Sequence, residues 1–361
     1  MTAAGEGLST NPSSTVELAG RPVGPGHPVY VIAELSANHN GSLDQACDVV
    51  RAAAEAGADA VKLQTYTPDT LTIDSDAEPF RVGEGTLWAG RTLHDLYAEA
   101  MTPWEWHEDL QALAGELGLQ LFSTPFDRTA VDFLDAMDPP AFKIASFELV
   151  DLELVAETAR RGRPLIMSTG MATDDEIDDA VRVARQSGAP GVVLLRCNSA
   201  YPARPDEMDL RTIPDMAARW GVPVGLSDHT RGTTAAITSV ALGACAIEKH
   251  LTLDRGAGGP DAAFSLEPPE LAQLVVAVRE AEAALGDVRY GPSPAEQASL
   301  AFRRSLFVVA DVAEGEELTA ANVRSIRPGQ GLAPKHLSDV VGRKAARAVA
   351  RGTPLTWDLV E

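Results

Sequence analysis

Gly225-Leu226-Ser227-Asp228-His229-Thr230 and, a little further on, Ile247-Glu248-Lys249-His250 decide how this chain reads. Short apolar runs, Val222-Pro223-Val224 and Ala244-Cys245-Ala246-Ile247, lead into them and read as buried strands. Each run ends at a histidine. Between them, Gly232 to Leu242 is rich in Ala, Thr and Val and has the length of one crossover helix. Two neighbouring parallel strands that both end in His would bring two imidazoles to one rim of a sheet. Barrel enzymes keep their chemistry on that rim, and two imidazoles are a start on a divalent-metal site. The competing reading is that each histidine caps its strand through a hydrogen bond. A lone strand-end His does this more often than it ligates, and the matched pair leaves the two readings level.

The same strand–turn–helix grammar extends upstream. Strands are expected at Val29–Leu35, Ala60–Thr65, Gln120–Thr124, Ala141–Ser146, Pro164–Thr169 and Val192–Cys197, ahead of the two that end in His229 and His250. Helical patterns fall at Leu43–Ala56, Leu93–Leu117, Arg128–Met137, Leu152–Arg161, Asp174–Gln186, Leu210–Trp220 and Gly232–Leu242, and Pro269–Leu285 follows the last strand. A polar insertion rich in Gly and Pro separates the second strand from its helices. Eight such units over about 260 residues match a (β/α)8 TIM barrel, an α/β fold. A doubly wound open sheet is the alternative, but no GxGxxG follows the first strand.

The rest of the chain frames this barrel. Residues 1–28 lack a basic segment followed by an apolar core and read as a flexible tail, the barrel taking 29–285. Residues 286–300 read as a linker rich in Gly, Pro, Ser and Gln. Residues 301–361 carry a weak internal repeat, Ala313–Val323 against Ala350–Val360, and suggest a small domain that needs a partner surface. A net charge of −22 argues against nucleic acid or an anionic membrane as partner. No run approaches the roughly 18 apolar residues of a membrane span. Cys47, Cys197 and Cys245 form no CxxC and fit buried thiols in a reducing cytoplasm.

The expected C-terminal ends of the strands gather an unusual set: Glu34, Lys62, Gln64, Ser123, Thr124, Lys143, Ser146, Glu148, Ser168, Thr169, Asn198, Ser199, Ser227, His229 and His250. Lysine is scarce in this chain, with only Lys62, Lys143, Lys249, Lys335 and Lys344, and three of these five lie in strands. A charged lysine inside a barrel strand is costly unless an anion meets it. Strand alternation puts Ser227 with His229 and Glu248 with His250, so Lys249 should face the helix layer and be structural. Lys62 shares a face with Gln64. Lys143 and Ser146 have opposite parity, so both reach one ligand only if Ser146 lies past the strand, in the turn toward Glu148. Two lysines, a ring of hydroxyls and two histidines suit a small phosphate- or carboxylate-bearing substrate beside a metal ion. Asp261 lies on the loop after the last strand, either as a turn former or where a polar sugar would be met. His94, His107 and the Trp88, Trp104, Trp106 group read as packing or lid residues. His39 lies near the rim.

Ala33-Glu34-Leu35-Ser36-Ala37-Asn38-His39-Asn40-Gly41, Lys62-Leu63-Gln64-Thr65, Ser123-Thr124-Pro125-Phe126, Phe142-Lys143-Ile144-Ala145-Ser146-Phe147-Glu148, Ser168-Thr169-Gly170-Met171, Gly225 to Thr230 and Glu248-Lys249-His250 together resemble the sialic acid synthase family. The resemblance runs from Val29 onward, and the C-terminal segment is similar to the antifreeze-like (SAF, β-clip) domain. Tyr66-Thr67-Pro68-Asp69-Thr70 and Thr102-Pro103-Trp104-Glu105-Trp106-His107 bring it closest to the branch that makes pseudaminic acid. Synthases of N-acetylneuraminate and legionaminate share the chemistry with a different sugar.

The resemblance implies condensation of phosphoenolpyruvate with the open-chain aldehyde of 2,4-diacetamido-2,4,6-trideoxy-L-altrose, releasing phosphate. Residue by residue, it implies that His229 and His250 hold Mn²⁺ or Mg²⁺. Lys62, Thr124, Lys143, Ser146, Ser168 and Ser227 would hold phosphoenolpyruvate, and Ser199, after Asn198, falls where the family has an asparagine. Tyr201, Asp261 and Glu34 would meet the sugar or a metal-bound water, with Glu148 as the proton-transfer group. Arg327 would cross into the barrel mouth of a second subunit, implying a domain-swapped homodimer. Two rivals compete with this reading: a Schiff-base aldolase using Lys62 or Lys143, and a non-catalytic carbohydrate-binding protein whose small domain is the working part.

Overall fold

In this computed structural model the structure describes residues 15–361. The chain separates into two compact units, Met1–Gly286 and Asp287–Glu361, which are described here one at a time.

The first unit is a closed parallel barrel. Its strands are β3 (Tyr30–Glu34), β4 (Ala60–Thr65), β5 (Gln120–Pro125), β6 (Phe142–Ile144), β7 (Leu165–Ser168), β8 (Val192–Cys197), β9 (Val224–Asp228) and β10 (Ala246–His250). They hydrogen-bond in chain order, and β10 closes onto β3. The eight strands stand where the sequence places them, trimmed by a residue or more at several ends. The helical stretch after the polar insertion is made of separate segments. The span from Leu93 to Leu117 breaks into Leu93–Ala100, a single turn at Trp104–Trp106 and His107–Glu116. Pro103 lacks an N–H and disfavours helical geometry in the residue before it, so no continuous helix can pass.

Alternation along each strand explains what the barrel contains. Val31, Ala33 and Leu35 point outward to a layer that includes Val49, Val50, Leu110 and Leu274. Tyr30, Ile32, Ala60, Phe122, Ile166, Val193, Leu195 and Ala246 form a separate cluster inside. Toward the C-terminal ends of the strands the buried interior turns polar, with Glu34, Lys62, Thr124, Lys143, Ser168, Ser227, Glu248 and His250. Gly225 belongs to this packed interior. A Cβ there would overlap the carbonyl of Ala246 and come within 2.8 Å of Leu195 Cδ2, so only glycine lets β9 lie this close to β10.

The apolar end of the barrel is covered by a segment expected to be tail. Residues 16–23 form a hairpin, β1 (Val16–Leu18) paired antiparallel with β2 (Arg21–Val23), while the first 14 residues of that expected tail lie outside the described part. Val16, Leu18 and Val23 bury themselves in the interior cluster. Their alternation, apolar at 16, 18 and 23, was too short to stand out in a stretch rich in Gly and Pro. Arg21 adds an ion pair to Asp59 and lies over the Tyr30 ring.

The second unit has its own core, which includes Leu306, Val308, Leu318, Val323, Val340, Leu355 and Leu359. Its strands β11 (Ser305–Val308) and β12 (Val323–Ile326) pair antiparallel. The matched leucines of the internal repeat, Leu318 and Leu355, are both fully buried. The stretch expected as linker includes a 3₁₀ segment, Pro294–Phe302, started by Ser293 and a proline in its first turn. Among the described residues no helix is long and apolar enough to cross a membrane.

Leu18→Ala tests whether the hairpin is a structural plug. It should lower unfolding stability by about 3 kcal/mol, the usual cost of emptying a well-packed leucine site. A urea titration measures this, with turnover at 25 °C changed less than twofold because the plug lies at the other end of the barrel.

Candidate active site

The polar end of the barrel is organised by charge. Lys62 and Lys143 are almost fully buried, at 3% and 1% exposure. Register sets Glu34 beside Lys62 and His250 beside Glu34. Lys62 Nζ pairs with Glu34 and lies 3.8 Å from Glu248 Oε1, while Lys143 Nζ lies 3.7 Å from Glu248 Oε2. Ser227 Oγ also donates to Glu248 Oε1, at 3.1 Å. Glu248 is therefore the shared counter-ion of two buried lysines. Burial opposes its charge, but Lys143 and Lys62 outweigh that and hold its carboxyl below the ordinary range. Glu34 goes the other way. Burial pushes it up to about 7, against the pull of Lys62. Burial also opposes the charge of Lys62, yet Glu248 and Glu34 raise its pKa.

Around the lysines stand hydroxyl groups. Lys143 Nζ donates to Ser168 Oγ at 2.6 Å, and Lys62 Nζ to Thr124 Oγ1 at 3.3 Å. Ser146 does lie past the end of β6, and its Oγ accepts from the Gly170 N–H at 3.1 Å. A Cβ at Gly170 would overlap Ser199 Oγ and come within 2.8 Å of Ser146 Oγ. The missing side chain thus lets two hydroxyls close on the Gly170 backbone, which together form a small polar cradle. Asn198 points its amide elsewhere, donating to the Glu207 carbonyl and accepting from Ala200 N, so Ser199 is the residue beside the cradle.

The two histidines meet as the strand ends require. Their ring centroids lie 5.4 Å apart. His229 Nδ1 is 2.8 Å from the Asn198 carbonyl oxygen; as a donor there it leaves Nε2 to carry the lone pair in the neutral ring. His250 is neutral: burial, then the charges of His229 and Lys62, lower its pKa well below the usual value. Its Nδ1 is buried with no hydrogen-bond partner. His229 goes the other way: burial opposes its charge, but Cys197 and the Asn198 carbonyl raise its pKa, so a divalent ion would displace its Nε2 proton while meeting His250 already neutral. Among the described residues no cluster of three or more His, Cys, Asp or Glu forms a metal cage, so the chain offers two imidazoles and leaves other positions open. Asp261 Oδ2 lies 3.9 Å from His250 Nδ1 and accepts from Ser36 Oγ, which in turn accepts from Gln64 Nε2 at 3.0 Å. Tyr201 packs on His229 at 4.4 Å, Phe264 on His250 at 4.9 Å, and Trp88 reaches Tyr201 while donating to the Pro260 carbonyl.

Comparison with known proteins fits this geometry. A family model described as NeuB matches residues 49–290 and a SAF domain model matches residues 303–361. The pseudaminic acid synthase of Helicobacter pylori is 42% identical over 336 residues, covering 92% of this chain and 98% of that protein. The N,N'-diacetyllegionaminic acid synthase of Legionella pneumophila is 35% identical, covering 94% and 97%. The crystal structure of an N-acetylneuraminic acid synthetase from Leptospira borgpetersenii superposes with a TM-score of 0.71 at 30% identity, covering 80% of this chain and 95% of that one.

The chain belongs to the NeuB family. Its first unit is the NeuB barrel and its second contains the SAF domain.

Of the site residues expected from sequence, the NeuB barrel brings together Glu34, Lys62, Thr124, Lys143, Ser146, Ser168, Ser199, Tyr201, Ser227, His229, His250 and Asp261. Glu148 follows β6 in a half-buried turn, with its Oε2 buried and unpartnered. Arg327 is exposed in the SAF unit, just after β12. Lys249 faces outward, paired with Asp228 at 2.8 Å, as alternation requires. Sequence reasoning missed Glu248, whose shared parity with His250 was a usable signal, and Gly170, for which spacing offers none. His107 proves fully buried, 2.7 Å from Thr65 Oγ1, which bonds Ser123 Oγ behind the site.

Burial pushes the Glu148 carboxyl up to about 7. The folded protein therefore holds this proton more tightly than the unfolded chain, so the group costs stability as pH rises from about 4.5 to about 7. Glu148→Gln should flatten thermal stability across that window. If Glu148 moves the proton, the substitution should also lower kcat by about 10²- to 10⁴-fold and erase a limb near pH 7 in the rate profile.

Proposed function

We propose that this protein condenses phosphoenolpyruvate with the open-chain aldehyde of an acetamido sugar, releasing phosphate, and that the sugar is 2,4-diacetamido-2,4,6-trideoxy-L-altrose, as for a pseudaminic acid synthase. The observation that carries the reaction is the buried Lys62–Glu248–Lys143 arrangement beside the His229–His250 pair, with hydroxyls of Thr124, Ser168 and Ser227 at hand. The choice of sugar rests on the 42% identity to the Helicobacter pylori enzyme against 35% to the legionaminic acid enzyme.

Lys62 and Lys143 supply point charge for the phosphate and carboxylate of phosphoenolpyruvate, and Ser146, Ser168, Ser199 and Thr124 supply directed hydrogen bonds. Carbon 3 of the enol ester is the nucleophile and the aldehyde carbon the electrophile. Water then adds at carbon 2, and the C–O bond to phosphate breaks as the ketone forms. The enol is already present in the substrate, so no lysine need form a Schiff base. Glu148 has the proton affinity to exchange protons near neutral pH, and the Asp261–Ser36–Gln64 chain orients the sugar end. His229 and His250 would hold Mn²⁺ or Mg²⁺, which supplies Lewis-acid polarisation of the aldehyde oxygen. We place the enzyme in the cytoplasm. We further propose that it acts as a domain-swapped homodimer in which Arg327 of one copy serves the sugar site of the other.

The deciding experiment measures phosphate release from phosphoenolpyruvate with a panel of acetamido sugars, in chelator and with added Mn²⁺. Release with the diacetamido trideoxy-altrose, absent in chelator and restored by Mn²⁺, is the expected result. A preference for N-acetylmannosamine or the legionaminate precursor reassigns the sugar. A borohydride-trapped lysine adduct with activity intact in chelator replaces the reaction with Schiff-base chemistry, and no release with any sugar sinks the enzyme reading.

Gly170→Ala probes the cradle directly. The new methyl group meets first the side chains of Ser199 and Ser146, whose hydroxyls can rotate away, so the barrel should fold while KM for phosphoenolpyruvate rises about tenfold or more, the effect of about 1.4 kcal/mol of lost binding. An unchanged KM would remove the cradle from the phosphoenolpyruvate site.

A further inference from the structure

Behind the two histidines, on the outer face of the same two strands, lies a buried ion pair that the proposed reaction does not use. Alternation turns Asp228 and Lys249 away from the interior, and the register of β9 and β10 sets them opposite each other. Lys249 Nζ donates to Asp228 Oδ2 at 2.8 Å and also to the Thr230 carbonyl. Asp228 Oδ1 accepts from the Thr230 N–H at 2.8 Å. Exposure of the three residues is 1% or less.

The location is what gives this pair a consequence. Both acceptors of Lys249 flank His229, one peptide on either side, and Lys249 is itself the residue before His250. The paired positions of β9 and β10 run from Ile247 opposite Leu226 to Lys249 opposite Asp228, so the pairing of the two strands stops one residue short of the histidines. Beyond that point the ammonium is a direct hydrogen-bonded link between the two strand ends. Two apolar side chains would fill the same space with equal or better stability. They could not hold a carboxylate and a carbonyl at once.

We propose that Lys249 and Asp228 are positioning residues that fix the spacing of the His229 and His250 imidazoles and thereby set the protein's affinity for a divalent cation. This rests on the reading that the two histidines hold such a cation. Neither residue touches substrate. Their effect is on the geometry of the two rings, since an imidazole displaced by about an ångström loses much of its value as a ligand.

The test uses chelator-stripped full-length protein without substrates, with bound Mn²⁺ followed by electron paramagnetic resonance. Wild type should bind Mn²⁺, and His229→Ala should not. Asp228→Asn/Lys249→Met removes both charges together and keeps an oxygen for the Thr230 N–H. It should fold, by circular dichroism and thermal melting, yet bind Mn²⁺ at least tenfold more weakly. Excess Mn²⁺ should recover most of its turnover while KM for phosphoenolpyruvate stays within about twofold. If the double variant does not fold, Asp228→Asn alone, which is isosteric, should weaken Mn²⁺ binding several-fold. A folded variant with wild-type Mn²⁺ affinity would overturn the positioning role and leave the metal reading standing. Failure of wild type to bind Mn²⁺, or binding that survives His229→Ala, would overturn the metal reading itself and the proposal with it.

Discussion

Glu248 stands between two buried ammonium groups, 3.8 Å from Lys62 and 3.7 Å from Lys143, inside a barrel whose lower interior holds an apolar cluster. Ionised lysines cannot occupy such a place alone, because desolvation of an unpaired charge costs several kcal/mol. Glu248, with Glu34 on the far side of Lys62, raises the proton affinity of Lys62, while at Lys143 burial outweighs Glu248 and lowers it. The arrangement differs from a bare cationic mouth. An incoming anion meets ammonium groups that already have partners, and the soft member of the set is Glu34, whose affinity for a proton is raised to about 7. Protonation there is the least costly way for the site to accept more negative charge.

The rest of the barrel serves this placement. Hairpin residues Val16, Leu18 and Val23 pack into the apolar cluster at the end of the barrel away from the lysines. The interior changes from Tyr30, Ile32 and Phe122 to Glu34, Lys62 and Thr124 within one or two strand pleats. Only main-chain register keeps those polar ends level with one another. Aromatic contacts among Trp88, Tyr201 and Phe264 then wall the histidine side, where the proposed reaction places the sugar aldehyde. On that side the chain offers directed but weakly charged groups, and on the lysine side strong charge. The asymmetry suits two substrates of very different polarity.

Much of this was legible in sequence because periodicity and parity are local. Apolar runs of strand length, each followed by a helical pattern, gave the barrel, and alternation alone assigned Lys249 to the outer face. Glu248 shows where such reasoning stopped short. Its parity with His250 was visible, yet its task depends on Lys62 and Lys143, which reach it from β4 and β6 only once the barrel has closed. Gly170 was invisible for a related reason. A missing side chain acquires meaning only when Ser146 and Ser199, from two other loops, arrive beside it. The hairpin was passed over because three buried residues in a stretch rich in Gly and Pro carry too little pattern.

What the sequence determined by itself was the order of strands and helices, the face on which each polar side chain stands and the kind of chemistry the strand ends could support. These follow from backbone geometry, which repeats every two or 3.6 residues wherever the chain goes. Tertiary structure decided which charges share a counter-ion, which hydroxyls border the cradle and how far apart the two imidazoles sit. Those are distances between atoms remote in the chain, and they are fixed only by closure of the barrel and the packing that holds it shut.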